Sequence, residues 1–213
     1  ATLVCCLELL RRSGRIPGDD RISIGLWIGG GSSQAPNKWR EALKLAEEVL
    51  KAEYPTNPFM LERCPICGKA IVPPRITDQD NAYGFEATAS SFGFRCPRPT
   101  CEFHESLPIQ VVDEALYQSP PTVLLGTVDK FARLAWDGRC RAFFGWGDGA
   151  AKRRPPDLVI QDELHLISGP LGTIAALYEA AIDAVLTHAG GQPKYVAATA
   201  TIRGAGDQAA RLY

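Results

Sequence analysis

Four of the seven cysteines fall in two tight pairs, Cys64-Pro65-Ile66-Cys67-Gly68 and Cys96-Pro97-Arg98-Pro99-Thr100-Cys101. Four thiolates satisfy a tetrahedral Zn2+, and a closed four-cysteine shell is structural rather than catalytic. The glycine after the first pair suits a tight turn that aims backbone N–H groups at sulfur. Cys64, Cys67, Cys96 and Cys101 are therefore the candidate metal ligands, with His104 as an alternative to one thiol. An odd number of cysteines with paired clusters fits a reducing compartment and a metal better than a disulfide scaffold, which places the protein in the cytoplasm.

A second constellation follows an apolar run. Leu158-Val159-Ile160 leads into Gln161-Asp162-Glu163-Leu164-His165, so two carboxylates stand just past the end of a candidate strand. The carboxyl ends of strands are where α/β sheets bind ligands. Nucleotide hydrolysis needs one carboxylate to hold Mg2+ and another to orient or deprotonate the attacking water. Further polar strand ends are Gly126-Thr127-Val128-Asp129-Lys130 upstream and Ala198-Thr199-Ala200-Thr201 downstream. Asp162, Glu163 and His165 could instead ligate a hydrolytic metal. That chemistry needs further ligands at other strand ends, and neither His104 nor His188 is at one.

These groups need a scaffold. Of 213 residues, 46% are hydrophobic and 22% charged, and 23 Lys+Arg against 24 Asp+Glu leave a formal net charge of −1. A disordered chain and a strongly basic or acidic tail are excluded on those figures. No apolar run reaches the roughly 18 residues of a membrane span. Residues 1–12 read as a helix with Leu3, Leu7 and Leu10 on one face, and residues 22–28 as a strand. Pro36 to Lys51 is a helix whose apolar positions are Trp39, Leu43, Ala46, Val49 and Leu50. Val123–Gly126, Leu158–Ile160 and Tyr195–Ala198 read as buried strands, and Leu171 to Leu186 as a helix with Ile174, Leu177, Tyr178, Ala181, Ile182 and Val185 inward. Trp27, Trp39 and Trp136 are expected in the core, and Trp146 packed over a sheet.

The alternation predicts an α/β fold, a parallel sheet with helices on both faces. A Cys- and Pro-rich insert interrupts it. The expected parts are 1–54 and 116–213 for the sheet domain and 55–115 for the insert. The segment from Leu61 to Val111 is expected to bury little core, so that metal binding acts there as folding energy. With five basic and six acidic residues it has no basic face, so bracing the fold or meeting a partner is as good a role as reading DNA.

Together the strand-end motifs resemble the first RecA-like domain of superfamily 2 helicases. Asp162-Glu163-Leu164-His165 matches the DExH form of motif II, and Thr199-Ala200-Thr201 matches motif III with Thr for Ser. Gly126-Thr127-Val128-Asp129-Lys130 resembles the motif that touches the nucleic-acid backbone. Ser23 to Gly30, the cysteine insert, Thr127 to Phe131 and Gln161 to Gly172 resemble the helicase subunit of DISARM-type phage-defence systems over most of the chain. The resemblance implies a RecA-like sheet with a zinc-ribbon insert, with ATP, Mg2+ and Zn2+ as cofactors. It implies nucleic acid, DNA in particular, as partner, beside a defence-system subunit. Asp162 would hold Mg2+, Glu163 would activate water, and His165, Thr199 and Thr201 would couple nucleotide state to movement. Thr127 and Lys130 would meet the bound strand. A non-catalytic zinc-ribbon binding module is the competing expectation.

One piece of the pattern is absent. The chain has no Gly-x4-Gly-Lys-Ser/Thr. The lookalike from Gly29 to Lys38 has Pro36, which lacks an N–H for phosphate, and Trp39 where a metal-binding hydroxyl belongs. A start without Met and an end in mid-helix predict a fragment, inactive alone as an ATPase, whose phosphate loop precedes residue 1 and whose second RecA-like domain follows residue 213. Lys152-Arg153-Arg154 is expected as a solvated loop or part of a strand track.

Overall fold

The computed structural model describes residues 1–28, 36–77, 82–147, 153–167 and 169–199. The chain divides into two compact units, Ala1–Lys130 and Phe131–Tyr213.

The first unit opens with helix α1, Thr2–Arg12. Its inward face is Val4, Cys5 and Glu8, and Leu3 is 72% exposed, so the expected leucine face is not the buried one. Glu8 turns in because donors meet it there. Arg11 Nε and Arg12 Nε donate at 2.8 and 3.0 Å, and the Ile22 backbone N–H at 2.9 Å. The Arg11 guanidinium, against the opposing effect of burial and helped by Ile22 and Arg12, holds the Glu8 carboxyl down at about 2. A lowered carboxyl contributes stability above its unfolded value that is lost as the pH falls through the folded one. Glu8→Gln is therefore expected to cost about 3 kcal/mol at neutral pH. That deficit should shrink as the pH drops below 4.5 toward 2, as read by urea unfolding of both proteins.

Strand β1, Ile24–Trp27, follows, and then helix α2, Trp39–Lys51. The Glu41 carboxylate starts α2 by accepting the Asn37 and Lys38 backbone N–H groups at 2.8 and 3.2 Å. Its buried face is Ala42, Ala46 and Val49, at i, i+4 and i+7, while Leu50 is exposed. An antiparallel hairpin comes next, β2 (Phe85–Ala87) with β3 (Phe92–Phe94). Strand β4 (Ile109–Gln110), helix α3 (Asp113–Gln118) and strand β5 (Val123–Gly126) complete the unit, with the short helix α4 (Val128–Phe131) at its end. Strands β4, β1 and β5 form a parallel sheet in that order, with Ile24 opposite Ile109 and Val123. Gly25 admits α3 close to β1, because a Cβ there would overlap Leu116 and Pro121.

Residues 55–111 supply much of this unit's core, against the expectation that they bury little. Phe59 packs on Phe92, Phe85 and Phe94 with ring centroids 4.8, 5.2 and 6.0 Å apart. Phe103, Ile71 and Leu107 join them, with Ala42, Ala46 and Val49 of α2 and Cys5 of α1 in the same cluster. Aromatic side chains bury large areas, which lets a segment of short strands build a core.

The second unit begins with 3-10 turns at Ala132–Ala135 and Gly138–Phe144. It then forms strand β6 (Leu158–Gln161), helix α5 (Gly169–His188) and strand β7 (Lys194–Ala197). Strands β6 and β7 pair in parallel, Leu158 opposite Lys194 through Gln161 opposite Ala197. Among the described residues the three strand ends expected on one sheet belong to two hydrogen-bonded sheets, β5 to the three-stranded one and β6 and β7 to a two-stranded one. Burial also departs from expectation. Leu158 and Ile160 are 50% and 63% exposed, and on α5 Ala175 and Leu186 are buried while Ile174, Leu177 and Val185 are exposed. A two-stranded ladder has too little face to cover such side chains. Val123 and Leu125 on β5 are likewise open. Trp27 is buried and Trp39 packs on the core, but Trp136 is exposed, and Trp146 stacks on His188 at 5.0 Å. Among the described residues no helix is long and apolar enough to cross a membrane.

Candidate metal centre and strand-end carboxylates

Each cysteine pair is held in its own backbone turn. In the first, Cys64 N–H donates to Lys69 O at 2.8 Å and Gly68 N–H to Cys64 O at 2.9 Å. Gly68 has φ 71°, the left-handed backbone that glycine adopts without strain. Arg63 and Ala70 bridge the base of this turn. In the second, Cys96 N–H donates to Phe103 O at 2.8 Å and Cys101 N–H to Arg98 O at 3.1 Å, and Arg98 N–H points at Cys96 Sγ from 3.4 Å. Hairpin β2–β3 spans the sequence between the two turns.

The turns bring the four thiols together. Cys67 and Cys96 Sγ are 3.4 Å apart, Cys64 and Cys101 Sγ 3.9 Å, and all four sulfurs lie within 4.8 Å of one another. A tetrahedral zinc with sulfur at about 2.3 Å sets its ligands about 3.8 Å apart, so the four are positioned to bind a metal ion. Burial works against ionisation of Cys67, but the Lys69 backbone and the neighbouring thiols outweigh it and bring that thiol down to about 7. Burial pushes the Cys96 and Cys101 thiols up. Cys5 stands outside the set, raised by burial to about 11 with Cys64 nearby. His104 does not replace a thiol. Its Nδ1 lies 2.9 Å from the Cys96 carbonyl oxygen, where the ring props the second turn. Among the described residues the cysteines are the only group of three or more His, Cys, Asp or Glu gathered closely enough for a metal, so the hydrolytic-metal alternative gains no support.

At the carboxyl end of β6, Asp162 Oδ1 accepts the Glu163 backbone N–H at 2.9 Å. Glu163 itself has φ 53° and ψ 41°, and among the described residues it is the only non-glycine with positive φ. This left-handed backbone costs an ordinary residue about 1–2 kcal/mol. Its carboxylate is 60% exposed, with Oε2 3.2 Å from His165 Nδ1. The end of β7 is tied to this segment, because Ala198 N–H donates to Gln161 O at 2.8 Å and Leu164 N–H to Ala198 O at 3.0 Å. Thr199 is therefore one residue from a direct link to the acidic turn. Thr201 lies outside the described residues.

Thr127 and Lys130 part company. Thr127 is exposed at the end of β5, whereas Lys130 is buried. The Lys130 ammonium pairs with Asp113 at 2.6 Å and donates to Ile28 O and Asn37 Oδ1, each at 2.9 Å. Ile28 follows β1, Asp113 follows β4 and Lys130 follows β5, so one buried cation ties together the carboxyl ends of all three strands. Its charge is directed inward. Asp113 carries no sequence signal for this role, standing far from Lys130 in the chain. Lys130→Met leaves a buried carboxylate uncompensated and is expected to cost about 3–5 kcal/mol of stability. Adding Asp113→Leu should recover most of that loss in urea unfolding.

Comparison with known proteins places the chain beside one bacterial relative. It is 30% identical to the DISARM protein DrmA of Bacillus paralicheniformis over 248 residues, which cover 99% of this chain and 22% of the relative. The chain thus spans about a fifth of the relative's length. No family model matches it.

Proposed function

We propose that this chain is part of an ATP-dependent nucleic-acid helicase or translocase that acts in antiphage defence. The observation that carries the reading is Glu163, a strained and accessible carboxylate at the carboxyl end of a parallel strand. Strain of this kind gathers at functional residues, where the surroundings over-determine the backbone. The similarity to DrmA supports the defence setting.

On this reading Asp162 and Glu163 divide the work of nucleotide hydrolysis. An exposed carboxylate at a strand end fits Mg2+, which takes one or two protein carboxylates and completes its shell with phosphate and water oxygens. Asp162 is that ligand, and the ion supplies charge neutralisation to the phosphates of ATP when bound. Glu163 accepts the proton of the attacking water. His165, 3.2 Å from the Glu163 carboxylate, couples the site to the rest of the motor, and Thr199 and Thr201 relay the nucleotide state. Thr127 meets a phosphate of the bound strand, while Lys130 keeps the strand ends of the first unit in place. Cys64, Cys67, Cys96 and Cys101 hold a structural Zn2+. Residues 55–115 form the zinc ribbon between the parts 1–54 and 116–213 of a RecA-like domain. Nucleic acid, DNA in particular, and a defence-system subunit are its partners.

Phosphate release from ATP by the intact protein, with and without single-stranded and duplex DNA, tests the proposal. Stimulation by DNA supports a motor. A folded, zinc-loaded protein that never turns over ATP sinks it.

A further inference from the structure

The second cysteine turn borders a cavity of about 410 Å³, lined by Cys101 with Arg12, Glu102, His104, Glu105 and Ser106. Cys64 and Cys96 are buried, whereas Cys101 is only half-buried. Cys67 is half-buried too but does not line the cavity. Two of the walls are held in place. His104 Nδ1 lies 2.9 Å from the Cys96 carbonyl oxygen, and the Arg12 guanidinium sits 4.8 Å from the centre of the Phe103 ring with its Nε 3.0 Å from Glu8. The cavity thus has the carboxylates of Glu102 and Glu105 against a guanidinium that Glu8 already holds. Such a lining disfavours anions and admits small uncharged molecules.

A thiol that holds a metal is ionised outright, and the thiolate is the nucleophile. Beside Cys101 stands a second sulfur from the other turn, Cys64 Sγ at 3.9 Å. An accessible thiolate next to a resolving cysteine is the arrangement of a peroxide-sensitive site. On the zinc reading of the four cysteines, we propose that Cys101 is a site of oxidation by hydrogen peroxide and that Cys64 resolves it as a disulfide, with loss of the metal. In the first step Cys101 sulfur bonds to one peroxide oxygen, the O–O bond breaks, and the departing hydroxide takes a proton to become water. In the second, Cys64 thiolate bonds to Cys101 sulfur, the S–O bond breaks, and a second hydroxide leaves as water. The sulfur pair gives up two electrons and the peroxide takes them. Closing the pair from 3.9 Å to the roughly 2.05 Å of a disulfide needs a short movement of two side chains. Cys67 and Cys96 remain, 3.4 Å apart, too few to close a zinc shell.

The test treats the zinc-loaded intact protein with hydrogen peroxide. Released zinc is followed with a chromogenic chelator, and disulfides are mapped by peptide mass spectrometry after alkylation. About one disulfide per zinc released is expected, joining Cys64 to Cys101 first, and a dithiol with added zinc should restore the loaded protein. Ser106→Phe, which adds bulk to the cavity wall, is expected to slow the release at least about three-fold at unchanged zinc content and melting temperature. A first disulfide between any other pair of the four, or no zinc release in excess peroxide, overturns the proposal and leaves the zinc reading standing. Release from Ser106→Phe at the wild-type rate overturns the cavity as the route to Cys101. Intact protein that carries no zinc overturns the zinc reading and the proposal together.

Discussion

Cys96→Ser is expected to yield a protein that carries no zinc and whose first unit does not fold cooperatively. Cys96 is fully buried, and its backbone and sulfur join the second cysteine turn to the core through Phe103 and Arg98. Structural zinc supplies about 10–16 kcal/mol of apparent binding energy at neutral pH, which the folded state alone collects. Whole domains are stable by only about 5–15 kcal/mol. The phenylalanine cluster around Phe59 is substantial, but Cys64 and Cys96 are themselves members of that core. A shell of three thiolates and a hydroxyl would leave the buried sulfurs without their common partner. Metal analysis should find about one zinc per wild-type chain and almost none in Cys96→Ser, and the near-ultraviolet circular dichroism of the aromatic cluster should collapse. Retention of that signal in the zinc-free protein would show that the aromatic core suffices and the metal is dispensable.

Glu163→Gln is expected to lower ATP turnover at least about a hundred-fold while leaving ATP-dependent strand binding intact. General-base catalysis contributes about 10²–10⁴ in rate, and the amide keeps the size of the side chain while losing its basicity. The backbone at Glu163 allows a sharper separation of strain from chemistry. Glu163→Ala keeps a Cβ in left-handed backbone, whereas Glu163→Gly does not, so the glycine variant should be about 1 kcal/mol more stable than the alanine variant. Both should be equally inactive. A stability gain without recovered turnover is the pattern of a residue kept for function at a cost to the fold.

The features legible in the sequence were those set by near neighbours along the chain. Cys-x2-Cys-Gly gave a turn whose glycine has positive φ, and the second pair closed onto it as the spacing suggested. The apolar run before Asp162 gave a strand that ends where the carboxylates begin. What escaped depends on distant chain segments. Glu8 is buried because Ile22 and two arginines converge on it, and the helical pattern of leucines cannot show that. Lys130 is turned inward because Asp113, Ile28 and Asn37 surround it, contacts that its position in the sequence does not announce. Ile160 and Leu158 look buried by composition, yet a strand is covered only by the neighbours beside and above it, and among the described residues β6 pairs with β7 alone. Trp136 read as core until the turn at Asp137 faced it outward.

The carboxylate at Glu163 is proposed to serve a nucleic-acid-driven ATPase. The most direct measurement is the rate of phosphate release from ATP by the intact zinc-loaded protein, with and without saturating single-stranded DNA, beside Glu163→Gln. The rate is expected to rise with DNA in the wild type and to fall at least about a hundred-fold in the variant. A wild type that releases no phosphate under either condition, or a variant as fast as an active wild type, would rule out that role for Glu163.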